Sequence, residues 1–136
     1  MIKGKFLSIL LICFVSWSLY SQENVTFDDG QLKATSEIET MSDKVNDRFY
    51  DYYVFSVKNV SNESIRFNVQ LTYSVNGQEK KADLSEEILL KPGEEITGNR
   101  DTRKDLTLFK KFNIGNSGKK LSDKNITLVS FKVNYL

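Results

Sequence analysis

The chain has 136 residues, of which 40% are hydrophobic and 27% charged, with a formal net charge of +1, nine Phe, six Tyr, one Trp, one Cys and no His. Without His, His-dependent catalytic triads and His metal sites are excluded, and Cys13 falls in an apolar N-terminal run, so the rest of the chain offers neither a thiol nor a disulfide. This length suits one domain, and a charge near zero leaves no electrostatic footprint for nucleic acid.

The first residues read as a secretory leader. Lys3 and Lys5 precede the apolar run Phe6 to Val15, and Ser16 to Ser21 supply the small and polar residues of a cleavage region. The apolar run is shorter than the ~20 residues a membrane span requires. Ile12 rather than a small residue precedes Cys13, which speaks against lipidation. The expected division is a signal peptide over 1–21 and one domain over 22–136, exported to the periplasm, the cell surface or the medium, with no membrane span after processing. The only Trp, Trp17, leaves with the leader.

Beyond the leader the pattern is that of β-strands. After the turn Asp28-Asp29-Gly30, Leu32, Ala34, Ser36 and Ile38 alternate with mostly polar neighbours. Tyr50 to Val60 is aromatic and β-branched, with apolar groups on both faces around Tyr52 to Phe55, which predicts a central strand. Asn59 to Ser64 is a turn. From Ile65 to Val75 every odd position is apolar and every even one polar, the mark of a strand with one face in a core and the other in solvent. Asn76-Gly77 predicts a tight hairpin, returning through an apolar-poor edge strand over 78–84. Ile88 to Leu90 leads into Lys91-Pro92-Gly93-Glu94, where Pro then Gly predicts a type II turn. Asp101 to Phe112 reads as a strand, or as a short helix capped by Thr102 and Asp105; the strand is preferred. The final strand, 127–135, is expected to turn Val129, Phe131, Val133 and Tyr135 to the core. Short strands separated by turn signals predict an all-β fold, an antiparallel immunoglobulin-like β-sandwich of about seven strands.

Three segments, Val57-Lys58-Asn59-Val60-Ser61, Val69 to Gly77 and Leu90-Lys91-Pro92-Gly93-Glu94, resemble secreted bacterial immunoglobulin-like domains of the FxLYD type. The resemblance spans about Tyr50 to Ile96, with Leu71 where that family often has an aromatic and Ser74 in place of Asp. It implies a sandwich fold and a binding, adhesive or spacer role at the cell surface. It transfers no catalytic residue.

Two features are candidate sites. Residues 22–51 hold eight acidic and three basic residues, whereas 100–136 hold nine basic and three acidic. Arg100, Arg103, Lys104, Lys110, Lys111, Lys119 and Lys120 are thus candidates for a patch that binds an anionic glycan or lipid headgroup. In Phe49-Tyr50-Asp51-Tyr52-Tyr53 the crowding of rings makes Tyr50, Tyr52 and Tyr53 candidates for a contact surface. The carboxylate pairs Asp28-Asp29, Glu86-Glu87 and Glu94-Glu95 flank turns and read as solvated charges rather than as catalytic or Ca²⁺-binding groups. Asn-x-Ser/Thr sequons at Asn24, Asn59, Asn62 and Asn125 read as coincidental in an Asn-rich chain. No motif implies a cofactor. The expectation is an exported, non-enzymatic interaction or structural module whose partner is another envelope or cell-surface protein, with a small accessory subunit of an envelope complex as one form. The alternative is a soluble binder of anionic glycan or headgroups through the basic residues.

Overall fold

The computed structural model describes residues 25–114, 120–121 and 126–136; the expected leader, 1–21, lies outside them. In chain order the strands are β1 (Val25–Asp28), β2 (Leu32–Asp43), β3 (Arg48–Asn59), β4 (Ile65–Val75), β5 (Gln78–Lys81), β6 (Ile88–Leu90), β7 (Glu95–Thr97), β8 (Thr107–Ile114), β9 (Lys120–Leu121) and β10 (Ile126–Tyr135). All pairings are antiparallel. One sheet has six strands in the order β1-β2-β3-β8-β9, with β7 also on β3; the other has four, in the order β10-β4-β5, with β6 also on β4.

The described residues form ten strands where about seven were expected, and the reason lies at two edges. Along one side of β4, β5 pairs with 72–75 and β6 with 65–67. Along one side of β3, β7 pairs with 56–58 and β8 with 48–54. Each edge is therefore shared by two short strands, between which the chain leaves the sheet and returns.

The turns follow their residues. Asn76 and Gly77 both take positive φ, 50° and 88°, and close the β4–β5 hairpin. Gly93 has φ 81°, and the Glu94 amide donates to the Lys91 carbonyl at 3.0 Å, completing the type II turn. β3 is central, as expected, flanked by β2 on one side and by β7 and β8 on the other. β5 is an edge strand of four exposed residues, Gln-Glu-Lys-Lys, whose charges discourage further pairing.

Alternation on β4 places Ile65, Phe67, Val69 and Leu71 in the core. From the other sheet Leu32, Ala34, Phe55, Val57 and Leu108 meet them, with Ile88, Leu90, Leu106 and Phe131 completing one cluster. The Phe55 and Phe131 rings, one from each sheet, lie 5.3 Å apart. Each such side chain removed from water contributes roughly 1.5–3 kcal/mol, so this cluster is what joins the two sheets.

Three expectations are corrected. On β10 the register slips between Leu128 and Ser130, so Val129 turns outward and is 47% exposed, whereas Ile126, Leu128, Phe131 and Val133 pack on the core; Tyr135 keeps the facing of Val133 but, at the end of the strand, is 44% exposed. A β-bulge adds one residue to a strand and reverses the facing of what precedes it. The segment from 101 opens with a 3-10 turn, Lys104–Leu106, before β8 begins; Thr102 is not its cap, and its first flanking residue, Arg103, makes no side-chain capping bond. Instead Asn99 Oδ1 accepts from the amides of Asp101 and Thr102. On β2 Leu32 and Ala34 are buried, but Ile38 is 53% exposed, because the closely packed core ends before the strand does.

Candidate binding surface

Side chains of directly paired residues share a sheet face, and successive residues alternate. Because Tyr53, Phe55 and Val57 belong to the core side of β3, Tyr50, Tyr52, Val54, Ser56 and Lys58 project from the opposite, outer face. The registers then fix five rows across this face. They are Lys33·Lys58·Glu95, Thr35·Ser56·Thr97, Glu37·Val54·Thr107, Glu39·Tyr52·Phe109 and Met41·Tyr50·Phe112. The surface grades from charged, through hydroxyl, to aromatic.

At the aromatic end, Tyr52 meets Phe109 edge to face with centroids 5.5 Å apart, and Tyr50 stacks on Phe112 at 6.0 Å. These four rings are half-buried, and Met41 is exposed. Arg100, carried on the excursion between β7 and β8, lays its guanidinium 4.3 Å from the Tyr52 centroid and reaches the Met41 sulfur. At the polar end a shallow trough of about 730 Å³ is lined by Lys33, Thr35, Glu37, Ser56, Lys58, Val60, Glu95 and Thr97. The hydroxyls of Ser56 and Thr97 lie 3.0 Å apart within it.

The candidate aromatic residues thus part company. Tyr50 and Tyr52 share the outer face, whereas Tyr53 stacks on Phe55 and packs against the core, with Lys110 over its ring at 5.4 Å. Sequence reasoning did not select Met41, Phe109 or Phe112 for this surface. The signal was hidden by a bulge: Asp51 pairs with Lys111 and Tyr52 with Phe109, so Lys110 is the extra residue and Phe109 and Phe112, three apart, face the same way.

The candidate cations do not gather on one face among the described residues. Arg100 lies on the outer face of the six-stranded sheet and Lys110 on the core side, over Tyr53. Lys111 stands 4.0 Å from Asp51, and Arg103 is 2.9 Å from Asp105 and 3.6 Å from Glu86. The Nε of Arg103 is buried without a hydrogen-bond partner among the described residues. Lys104 is exposed. Lys119 lies outside the described residues, as does the side chain of Lys120.

The carboxylates serve structure. Asp29 Oδ1 accepts from the amides of Gln31 and Leu32, Asp28 Oδ1 from that of Gly30, and Glu94 Oε1 from that of Lys91. Burial pushes the Asp29 carboxyl up, but hydrogen bonds from Tyr135, Leu32 and Gln31 outweigh it and hold the group below its ordinary value. Burial, and then the bond to Asp29, push the Tyr135 phenol well above its ordinary value. No group of three or more acidic, His or Cys side chains is arranged to hold a metal ion among the described residues. Of the sequons, Asn59 is fully buried and Asn62 is exposed, while Asn24 and Asn125 lie outside the described residues. No helix among the described residues is long and apolar enough to cross a membrane. No family model matches the chain, and no curated protein matches its sequence.

Proposed function

We propose that this chain is an exported, non-enzymatic interaction module of immunoglobulin-like sandwich architecture, working as an accessory subunit at the cell envelope. The observation that carries this reading is the ring cluster Tyr50, Tyr52, Phe109 and Phe112 on the face of the six-stranded sheet turned away from the core. Tyr, Phe, Met and Arg are the residues in which protein-binding surfaces are enriched, and here Met41 and Arg100 complete the set. The two-sheet core and the turn chemistry at Asn76-Gly77 and Pro92-Gly93 support the sandwich assignment. The leader pattern of residues 1–21 supports export. Headgroup or glycan binding by the basic residues has less support, because Arg103 and Lys111 carry acidic neighbours and Arg100 and Lys110 occupy opposite faces.

The test is capture from envelope extract by the immobilised protein, compared with Tyr50→Glu and with Lys110→Glu. The reading expects capture that survives moderate salt, is lost in Tyr50→Glu and persists in Lys110→Glu. Capture that collapses with salt and depends on Lys110 would replace it with the anion-binding alternative.

A further inference from the structure

We propose that the aromatic end of the outer face recognises a partner-protein segment in which a single carboxylate is flanked by apolar side chains, and that Arg100 takes the carboxylate. This rests on the interaction-module reading and names the chemistry which that surface selects. The reason is a guanidinium whose hydrogen-bonding capacity the fold leaves unmet. Arg66 and Arg103 each pair with a carboxylate, at 3.7 and 2.9 Å, whereas Arg100 has no ion pair among the described residues. Its contacts are the Tyr52 ring and the Met41 sulfur, which faces Nη1. A thioether is a weak acceptor, and a ring attracts the cation without using its N–H groups. The Nε and Nη2 of Arg100 therefore donate to nothing among the described residues and, unlike the Nε of Arg103, they are not buried. That edge of the guanidinium is the fork that fits both oxygens of a carboxylate.

The fold holds the fork in place before anything binds. Asn99 and Arg103 exchange backbone hydrogen bonds of 3.1 and 2.8 Å around Arg100, and Asn99 Oδ1 accepts from the amides of Asp101 and Thr102. A closed loop and a ring beneath the guanidinium lower the cost of ordering it on binding. The surroundings narrow the occupant. Tyr50, Tyr52, Phe109 and Phe112 offer apolar area beside the fork. Glu37 and Glu39 share this end of the face and have no ion pair among the described residues, so its three rows carry two acids against one base. An acidic tract or an anionic membrane is repelled there, while one carboxylate seated on the fork between apolar groups is admitted.

The probe is a phage-displayed library of random dodecapeptides, selected on immobilised protein expressed from the whole chain. The enriched peptides are expected to carry one Asp or Glu beside Phe, Tyr, Leu or Met. For the leading peptide, made synthetically, exchange of its carboxylate for the amide should weaken binding about tenfold or more. Against Arg100→Gln the acid and amide peptides should bind alike, a coupling that an arginine serving only to pack on Tyr52 would not give. Selection on Arg100→Glu should turn the preference to Lys and Arg. Circular dichroism of each variant separates loss of binding from loss of fold. No enrichment, enriched peptides without an acid, an acid-to-amide loss that persists in Arg100→Gln, or Arg100-dependent binding to anionic phospholipid vesicles overturns the proposal. If Tyr50→Glu still abolishes capture from envelope extract in that event, the interaction-module reading stands and only the chemistry of its partner was wrong. If Tyr50→Glu changes neither peptide binding nor capture, both fail.

Discussion

Asn59 does the most structural work of any polar side chain in the core. It is fully buried at the end of β3, where its Nδ2 donates to the carbonyls of Glu63 and Leu90, and its Oδ1 accepts from the amide and hydroxyl of Ser61. One side chain thereby closes the turn into β4 and pins it to β6. Asn59→Ala takes one hydrogen bond each from the Glu63 and Leu90 carbonyls and the Ser61 amide, and is expected to cost about 3 kcal/mol, read as a lower urea midpoint at unchanged slope. A loss under about 1 kcal/mol would mean that water reaches these groups. The same burial keeps this sequon from an attached glycan. Gly98 is special for a different reason: a Cβ there would lie 2.2 Å from the Leu106 carbonyl oxygen, and backbone cannot yield cheaply. Gly98→Ala should cost about 2 kcal/mol through this clash. Gly77→Ala meets nothing within 4 Å but must keep φ 88°, so it should cost about 1 kcal/mol through strain alone.

At the scale of the element, how far each strand was legible depends on whether its alternation is interrupted. β4 runs eleven residues with no slip, and its pattern reads straight through to its burial, Ile65 to Leu71 inward and Arg66 exposed. Val69→Asp should therefore unfold the protein, at a cost above about 3 kcal/mol, since it buries a charge among Phe67, Leu71 and their neighbours. Gln70→Asp loses one long hydrogen bond, 3.4 Å to the Ala82 carbonyl, and should cost less than about 1 kcal/mol. Equal urea midpoints for the two variants would contradict the two-sided reading of β4. β8 and β10 were less legible because each carries a bulge, at Lys110 and near Val129, and a pattern of period two cannot show where one extra residue enters. The stretch 82–87 fails for another reason. Ser85, buried, accepts the Val69 amide and donates to the Glu86 carbonyl, so a side chain continues the sheet's bonding where the strand itself has ended. The outer-face site was half legible: Tyr50 and Tyr52 stood out by composition, but Met41, Phe109 and Phe112 join them only through register.

Across the whole molecule, the two sheets are joined by their core and clasped at two margins. On one, Asp105 accepts the Glu86 amide and pairs with Arg103, linking the excursion after β7 to the segment before β6. On the other, Tyr135 at the end of β10 donates its phenolic proton to Asp29 in the turn before β2. This second clasp gives folding a pH dependence with two limbs. The folded carboxyl of Asp29 is held low, so its contribution is present above the ordinary value of about 3.9 and is lost as pH falls through the lower folded value. The folded phenol of Tyr135 is held high, so its contribution is present below about pH 10 and is lost as pH rises beyond it. Between the limbs the clasp is intact. Because it is partly solvated, Tyr135→Phe should cost only about 1 kcal/mol there. The variant keeps the backbone bonds to Asp29, so its acid limb shrinks without vanishing, whereas the alkaline limb due to this phenol disappears. Urea midpoints for the two proteins should therefore differ most near neutral pH and converge towards both extremes; a difference that stays constant across the range would show that the phenol contributes packing and no proton linkage.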